Sequence, residues 1–200
     1  MNKINYDKVL CEILSKLTHK PTLLLHSCCA PCSTAVIDRL LPHFDITIFY
    51  YNPNLDTSIE YEKRKNEQIR YIEQLNTLGN HIEIIENGFC QPDFLEIVKG
   101  LENQPEGGKR CYACYQLRLS KTCEIASKLG FKYFCSTLSV SPYKNAEWLN
   151  EIGNTLSNDI TSWLPSDFKK QEGYKKSRAM ARELNMYEQN YCGCQFSKRD

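Results

Sequence analysis

Short apolar runs alternate with longer amphipathic segments through most of the chain. Four runs have the length and the β-branched or aromatic content of strands: TLLLHS from residue 22, ITIFYYN from 46, HIEIIE from 81 and KYFCSTLS from 132. Helical periodicity is found in residues 33–44, 58–79 and 114–130. Gly130 is suited to a helix C-terminus. Further helices are expected within residues 1–20, from about Ala146 and from about Gly173.

Strands separated by helices are typical of an α/β protein with a parallel sheet. With 200 residues and 42% hydrophobic content, the chain fits one domain with one buried core. We therefore expect a single domain over residues 1–200, in which helices flank the sheet and the segment 165–200 completes a site. Right-handed crossovers place the carboxyl ends of all strands on one edge, where open α/β sheets hold ligands. The segments SCCAPCS (27–33) and STLSVSPYKN (136–145) follow strands at that edge.

Charge and hydropathy narrow the classes of function. The chain has 25 basic and 24 acidic side chains and a net charge of +1, so its overall charge favours neither nucleic acid nor membrane. Any basic surface must be local. No apolar stretch approaches the roughly 18 residues of a membrane span, and the first residues mix charges into an amphipathic pattern, unlike a signal sequence. We expect a cytoplasmic protein that does not bind membranes.

Eleven cysteines are the most unusual feature of the composition. In a reducing cytoplasm, an odd number of cysteines argues against a disulfide framework and favours metal or thiol chemistry. Four occur singly and are interpreted as small hydrophobic side chains: Cys11, Cys90, Cys123 and Cys135. Seven are clustered, as an N-terminal trio (Cys28, Cys29, Cys32), a central pair (Cys111, Cys114) and a tail pair (Cys192, Cys194).

The N-terminal trio directly follows the first predicted strand, and Pro31 is suited to the first turn of a helix. Unpaired amides and the helix dipole favour anions at such a position. We therefore expect lowered thiol pKa values and strong metal binding at all three cysteines. Two alternatives are a thioredoxin-like redox pair formed by Cys29 and Cys32, and an incidental juxtaposition of Cys28 and Cys29.

The central pair precedes a helical pattern and follows Gly107 and Gly108, which allow the backbone to approach a ligand closely. Tetrahedral zinc would accept two cysteine pairs, but structural zinc sites usually use compact paired knuckles, and these cysteines come from three distant segments. Cysteines gathered at the sheet edge indicate an active-site metal. Four of the seven could hold an iron–sulfur cube, and three could remain for a second metal or a dithiol. The spacing alone does not choose among these possibilities.

The C-terminal segment has basic side chains at positions compatible with one helix face: Lys169, Lys170, Lys175, Lys176 and Arg178. Aromatic residues are interspersed among and after them: Phe168, Tyr174, Tyr187 and Tyr191. Cations that bind phosphates and rings that stack on splayed bases are typical of proteins that bind single-stranded or looped RNA. A solvated helix face, with the rings in the core, is the alternative interpretation.

Six segments together resemble the cobalamin-independent epoxyqueuosine reductase family: CCAPC, YNPN, EGGKRCYACYQLRL, STLSVSPYKN, LPSDFKKQEGY and YCGC. The resemblance extends over about residues 23–196. It implies a fold similar to the nucleotide-binding PP-loop-like (HUP) group, and an oxidoreductase that reduces epoxyqueuosine to queuosine at the wobble position of tRNA. Three residues depart from the pattern usual in that family: Gln171, Glu172 and Glu188. The third departure reverses a charge beside the tail pair.

The resemblance further implies a single catalytic domain with a 4Fe–4S cluster, room for a second, mononuclear iron, no cobalamin and a low-potential electron donor protein. Its substrate would be tRNA bearing epoxyqueuosine in the anticodon loop, and its metal set would be the seven clustered cysteines. Conversion of an epoxide to an alkene needs protons for the departing oxygen, and motif placement makes Tyr143, Lys144 and Asp167 the candidate donors. In air, redox-active disulfides are expected between Cys28 and Cys29 or within the tail pair.

Two other functions share some of these features. A PP-loop enzyme that thiolates or adenylates tRNA has a similar scaffold and often carries cysteine pairs. Such an enzyme needs a Gly/Ser-rich phosphate-binding loop after its first strand, where this chain has SCCAPCS without a glycine. A zinc-stabilised RNA-binding module without catalysis would also use cysteine pairs. Colour and metal content after oxygen-free purification distinguish the three functions.

Overall fold

A computed structural model describes residues 3–198. The strands are β1 (Thr22–His26), β2 (Asp45–Tyr50), β3 (Glu83–Glu86), β4 (Tyr133–Ser136) and β5 (Ser162–Trp163). The helices are α1 (Tyr6–Lys16), α2 (Ala30–Leu40), α3 (Ser58–Thr77), α4 (Gln91–Ile97), α5 (Lys109–Leu129), α6 (Ala146–Leu156) and α7 (Gly173–Glu183). Short 3₁₀ turns occupy Thr137–Val140 and Gln195–Ser197.

The sheet has the order β3-β2-β1-β4-β5, and all its strands run parallel. Leu23, Leu24 and Leu25 of β1 are fully buried although they point alternately to opposite faces, which shows that both faces of the sheet are covered. From β1 the chain adds β2 and then β3 on one side of the sheet. It then crosses back to form β4 on the other side of β1. The gap between the ends of β1 and β4 is therefore the topological switch point, where doubly wound sheets hold ligands.

The predicted α/β fold with a parallel sheet and flanking helices is confirmed, as are the four predicted strands. Two helices begin earlier than their sequence patterns predict. Helix α2 begins at Ala30, three residues before its periodic pattern but in agreement with the placement of Pro31 in a first turn, so Cys32 lies in its first turn. Helix α5 begins at Lys109 instead of Cys114, so both cysteines of the central pair are helical. These two starts position most of the thiol groups described below.

The sequence analysis missed β5 and α4. Strand β5 has two residues and α4 has seven, and segments that short do not show a readable periodicity. Helix α7 was predicted, and it packs against α2, where Oγ1 of Thr34 donates a hydrogen bond to the carbonyl oxygen of Ser177 at 3.4 Å. None of the helices within residues 3–198 is both long enough and apolar enough to cross a membrane.

Candidate metal centre

One cavity of about 200 Å³ opens at the switch point between β1 and β4. The backbone amide of Cys28 donates a hydrogen bond to Oγ1 of Thr137 at 3.3 Å, which joins the loop after β1 to the turn after β4. All seven clustered cysteines line this cavity, which we call the cysteine cavity. The N-terminal trio, the central pair and the tail pair are therefore brought together, although more than 70 residues separate each group from the next.

The N-terminal trio is the tightest group, because its three sulfur atoms lie within 4.8 Å of one another. The Sγ atoms of Cys28 and Cys29 are 3.9 Å apart. Cys29 is extended and immediately precedes α2, at the N-cap position. Pro31 lies in the first turn, as predicted. The positive end of α2 is thus next to the trio.

The three thiols of the trio have different pKa values. Hydrogen bonds from Cys29 and Cys32, helped by the charge of Arg118, hold the pKa of Cys28 well below its usual value despite burial. The hydrogen bond to Cys28 and burial raise the pKa of Cys29 to about 12. Hydrogen bonds to both neighbours also raise the pKa of Cys32. The expectation of three lowered pKa values is therefore wrong for the free thiols, because one thiolate disfavours a second one so close to it.

The central pair lies on α5 at positions three residues apart, so both thiols are on one face of the helix. The backbone amide of Gly107 donates a hydrogen bond to Sγ of Cys111 at 3.2 Å. Cys114 is buried, and burial raises the pKa of its thiol. It belongs to a small buried cluster with Phe94 and Cys194, through which α4, α5 and the tail pack together.

The tail pair is held by side chains from distant segments. Nδ2 of Asn54 donates a hydrogen bond to the carbonyl oxygen of Cys192 at 3.2 Å, and the guanidinium of Arg64 donates to the same oxygen at 3.4 Å. Gly193 has φ of +96°, and a Cβ at this position would overlap the side chain of Leu55. Glycine is therefore required between the two cysteines for the tail to fold against α3.

Charge is also unevenly distributed in the tail pair. A hydrogen bond from Cys194 and the positive charge of Lys144 hold the pKa of Cys192 well below its usual value despite burial. The pKa of Cys194 is raised by the same hydrogen bond and by burial. Burial alone would lower the pKa of Lys144, but the nearby thiolate of Cys192 raises it. Lys144 is also 3.6 Å from a carboxylate oxygen of Glu106. Its ammonium group remains protonated at neutral pH.

Arg118 places a second buried positive charge beside the N-terminal trio. Its side chain is 3% exposed, Nε donates to Nε2 of His26 at 3.2 Å, and the guanidinium also donates to Oδ1 of Asn52. Burial and the charge of Arg118 lower the pKa of His26 to about 3, so the imidazole is neutral. Among the ion pairs of residues 3–198, none joins Arg118 to a carboxylate. The thiolate of Cys28, whose pKa is lowered in part by the charge of Arg118, is an anion that balances it.

The donor set and its surroundings fit an anionic, thiolate-bound metal centre. Thiolates are the ligands that iron–sulfur clusters and zinc prefer. Several metal-bound thiolates in a buried cavity would require positive charges nearby, and Arg64, Arg118 and Lys144 supply them. A simple redox pair would need two of the seven thiols. It would not explain why the other five line the same cavity.

The three predicted proton donors lie in different places. Lys144 and Tyr143 line the cysteine cavity, and Tyr143 stands at its exposed mouth. Asp167 does not line the cavity, and its carboxylate is paired with Nζ of Lys169 at 2.8 Å. Of the three, Lys144 alone has a mostly buried side chain, 10% exposed, that lies next to cysteines of the central and tail pairs.

The predicted basic face is largely occupied by ion pairs. Among its five residues, Arg178 lines the cysteine cavity, and it is paired with Glu188. Lys175 pairs with Glu172, and Lys176 pairs with Asp38 at 2.6 Å. Two of the three residues that depart from the family pattern, Glu172 and Glu188, thus bind basic residues of the same segment. The third, Gln171, donates a hydrogen bond to Asp7 at 2.9 Å, and Lys170 is exposed.

The four aromatic residues of the C-terminal segment have different environments. Phe168 is buried in the core, as the alternative interpretation proposed. Tyr187 and Tyr191 are partly buried and donate hydrogen bonds to Glu60 and Asp56. The fourth, Tyr174, is exposed and lines the cysteine cavity.

Arg64, Arg118 and Gln189 are among the cavity residues that were not predicted from the sequence. Arg118 follows Cys114 by four residues on a predicted helix, and this spacing places it on the same face, so a signal was present. Gln189 donates a hydrogen bond from Nε2 to Sγ of Cys29 at 2.8 Å. Gln189 and Arg64 reach the cavity through tertiary contacts, for which the local sequence contains no signal.

The four single cysteines all lie outside the cysteine cavity. Cys123 and Cys135 are buried, as expected for small hydrophobic side chains, and Cys90 is half-buried. The interpretation is wrong for Cys11, which is exposed on α1 and accepts a hydrogen bond from Arg39 at 3.4 Å. All eleven cysteines are free thiols, so the disulfides expected in air are absent from the described structure.

Comparison with known proteins gives a uniform result. A family model described as "Epoxyqueuosine reductase QueH" matches residues 23–200. The chain is 39% identical to Epoxyqueuosine reductase QueH of Streptococcus pyogenes, over 98% of this chain and 79% of that protein. It is 41% identical to the protein of the same name from Staphylococcus epidermidis, over 98% of this chain and 85% of the relative. The corresponding values for Thermotoga maritima are 33%, 88% and 90%.

Proposed function

This chain belongs to the epoxyqueuosine reductase QueH family, and from this membership we propose that it reduces epoxyqueuosine to queuosine at the wobble position of tRNA. The observation that carries the proposal is the convergence of seven cysteines from three distant segments on one cavity at the switch point of the sheet. That position is where a substrate would reach the carboxyl ends of the strands.

We propose that the seven clustered cysteines hold the metal. A 4Fe–4S cluster needs four thiolates, which leaves three for a second, mononuclear iron. Such a cluster supplies electrons one at a time, and a low-potential donor protein would replenish them. Cobalamin has no part in this proposal. The tightness of the N-terminal trio, the buried charge of Arg118 and the mostly buried charge of Lys144 support the assignment.

The chain must also manage protons and the departing oxygen. Reduction of an epoxide to an alkene consumes two electrons and two protons, breaks two C–O bonds and releases the oxygen as water. We assign the proton donor to Lys144, because its ammonium is protonated, mostly buried and close to Cys111 and Cys192. Tyr143 is the second candidate, at the mouth of the cavity. Asp167 is the least favoured, since it lies outside the cavity and is paired with Lys169.

The RNA would approach over α7 and the mouth of the cavity. Arg178 lines the cavity, and Lys170, Lys175 and Lys176 are exposed next to it in sequence. Phosphates of a tRNA anticodon loop would compete with the carboxylates that now pair with these cations. Because the anticodon loop is single-stranded, presenting one base to the cavity costs less than extracting it from a duplex.

Mass spectrometry of digested tRNA tests the proposal. Protein purified without oxygen, given a low-potential reductant and tRNA containing epoxyqueuosine, should convert that nucleoside to a product lighter by one oxygen atom. The reaction should need neither cobalamin nor ATP. Fully metallated, reduced protein that leaves the epoxide intact would exclude the function. A strict requirement for ATP would favour the PP-loop alternative, and a colourless zinc protein without activity would favour the RNA-binding module.

A further inference from the structure

Two exposed aromatic side chains stand at the mouth of the cysteine cavity. Within residues 3–198, eight large apolar or aromatic side chains are exposed, and the aromatic ones are Tyr143 (61% exposed) and Tyr174 (37% exposed). Both line the cavity. Isolated exposed apolar side chains are ordinary on a protein surface. The presence of both exposed aromatic residues at one cavity mouth therefore indicates a ligand with a flat, apolar face.

The neighbouring rings are already used by the protein itself. Nζ of Lys63 lies 3.6 Å from the centre of the Tyr187 ring. The guanidinium of Arg64 and the ammonium of Lys198 lie 5.2 and 5.6 Å from the centre of the Tyr191 ring. These cation–π contacts stabilise the tail. Tyr143 and Tyr174 are the most exposed tyrosines of the cavity lining, so a ligand can reach their rings.

A buried polar atom indicates the same ligand. Ser177 follows Tyr174 by three residues on α7, so the two side chains lie on one helix face. Ser177 is 3% exposed and lines the cavity, and its Oγ has no hydrogen-bond partner among the described residues. A buried hydroxyl without a partner is unfavourable, and a polar edge of a bound molecule would satisfy it. The ligand should therefore combine a flat face with hydrogen-bonding groups at its edge.

We propose that Tyr143, Tyr174 and Ser177 form the binding site for the nucleobase of the nucleotide that carries the epoxide. The base stacks on the tyrosine rings with its polar edge at Ser177, and its modified arm extends inward to the cysteines. Aromatic side chains bind unstacked bases in this way in proteins that recognise single-stranded RNA. The inference rests on the proposed function and adds to it the part of the cavity that holds the base.

Binding measurements with two anticodon stem-loop RNAs test this site. One RNA has guanine at the wobble position, and the other has an abasic residue there. Tyr143→Ala and Tyr174→Ala should each weaken binding of the guanine RNA about tenfold at every salt concentration, without changing the salt slope, because stacking involves no phosphate. Ser177→Ala should weaken binding of the same RNA. The abasic RNA should bind the wild type more weakly and should not respond to these three substitutions.

Controls separate stacking from folding and from function. Tyr143→Phe and Tyr174→Phe keep the ring and should keep the affinity, and Leu78→Ala, at an exposed position outside the cavity, should have no effect. The inference is overturned if the double alanine variant binds the guanine RNA as the wild type does, or if it loses affinity equally for both RNAs. If that happens while the wild type still converts epoxyqueuosine in tRNA, the proposed function stands. A wild type that binds neither RNA and also leaves epoxyqueuosine in tRNA unreduced overturns both.

Discussion

The N-terminal trio and the tail pair reach the same cavity by different routes. The trio follows β1, which is hydrogen-bonded to β2 on one side and β4 on the other, and it ends in the first turn of α2. The tail pair lies beyond the end of α7 and depends on Asn54, Arg64 and the backbone freedom of Gly193. Thiols beside the central strand are thus positioned by regular structure, whereas thiols in the tail are positioned by a few tertiary contacts.

The largest effect is expected from replacing any one of the seven clustered cysteines. Serine at any of the seven positions should lower iron content or activity by about tenfold or more, because iron loses a soft ligand. Cys123→Ser, at a buried position outside the cavity, is the matched control and should cost stability at most. Iron and activity assays decide between these outcomes. Loss of iron in Cys123→Ser and retention in Cys114→Ser would contradict the ligand set.

The second prediction concerns the turn that positions the tail pair. Gly193→Ala puts a side chain at φ of +96° and against Leu55, which should cost about 1–3 kcal/mol locally and displace the tail pair. We expect a loss of iron at the tail with little change in the thermal midpoint of the domain. Gly130→Ala is the control, since Gly130 also has positive φ but no atom lies near its Cβ position. It should lower stability without affecting iron, and iron retained in Gly193→Ala would refute the role of the turn.

The third prediction concerns the charge beside the trio. Arg118→Met removes a buried cation that has no carboxylate partner, so a bound anionic metal centre should become harder to reduce. Its midpoint potential should fall by on the order of tens of millivolts, and Arg118→Lys should restore part of the shift. Arg70→Met removes an exposed arginine that pairs with Glu67, and should leave the potential unchanged. Equal potentials in Arg118→Met and the wild type would show that Arg118 has a structural role only.

The smallest effects are expected at the basic residues of α7 and of the turn that precedes it. If the basic residues contact phosphates, alanine at each should reduce the slope of log affinity against log salt by roughly 0.7 to 0.9. The reduction should be larger at exposed Lys170 than at Arg178, which already pairs with Glu188. Lys121→Ala on α5, where Lys121 pairs with Glu124, is the control. If the variant with alanine at all five basic residues keeps the wild-type salt slope, these residues form only a solvated surface and do not contact phosphates.

The same contrast explains how much the sequence could predict. Periodicity identified the four longer strands, and right-handed crossovers between parallel strands then placed SCCAPCS and STLSVSPYKN at one edge, where Cys28 and Thr137 are in contact. Arg64 and Gln189 could not be predicted, because they reach the cavity through contacts across the fold. Asp167 is close to a cavity segment in sequence, yet its carboxylate points to Lys169. Placement by motif did not reveal the direction of that side chain.

Iron and sulfide content of protein purified without oxygen tests the central claim most directly, because that claim is a metal centre built from cysteines on both routes. We expect brown protein with several irons per chain and a broad absorbance band near ~400 nm, typical of sulfide-bridged iron held by thiolates. A serine in the trio and a serine in the tail pair should each diminish this band. Colourless protein containing only stoichiometric zinc would contradict the account.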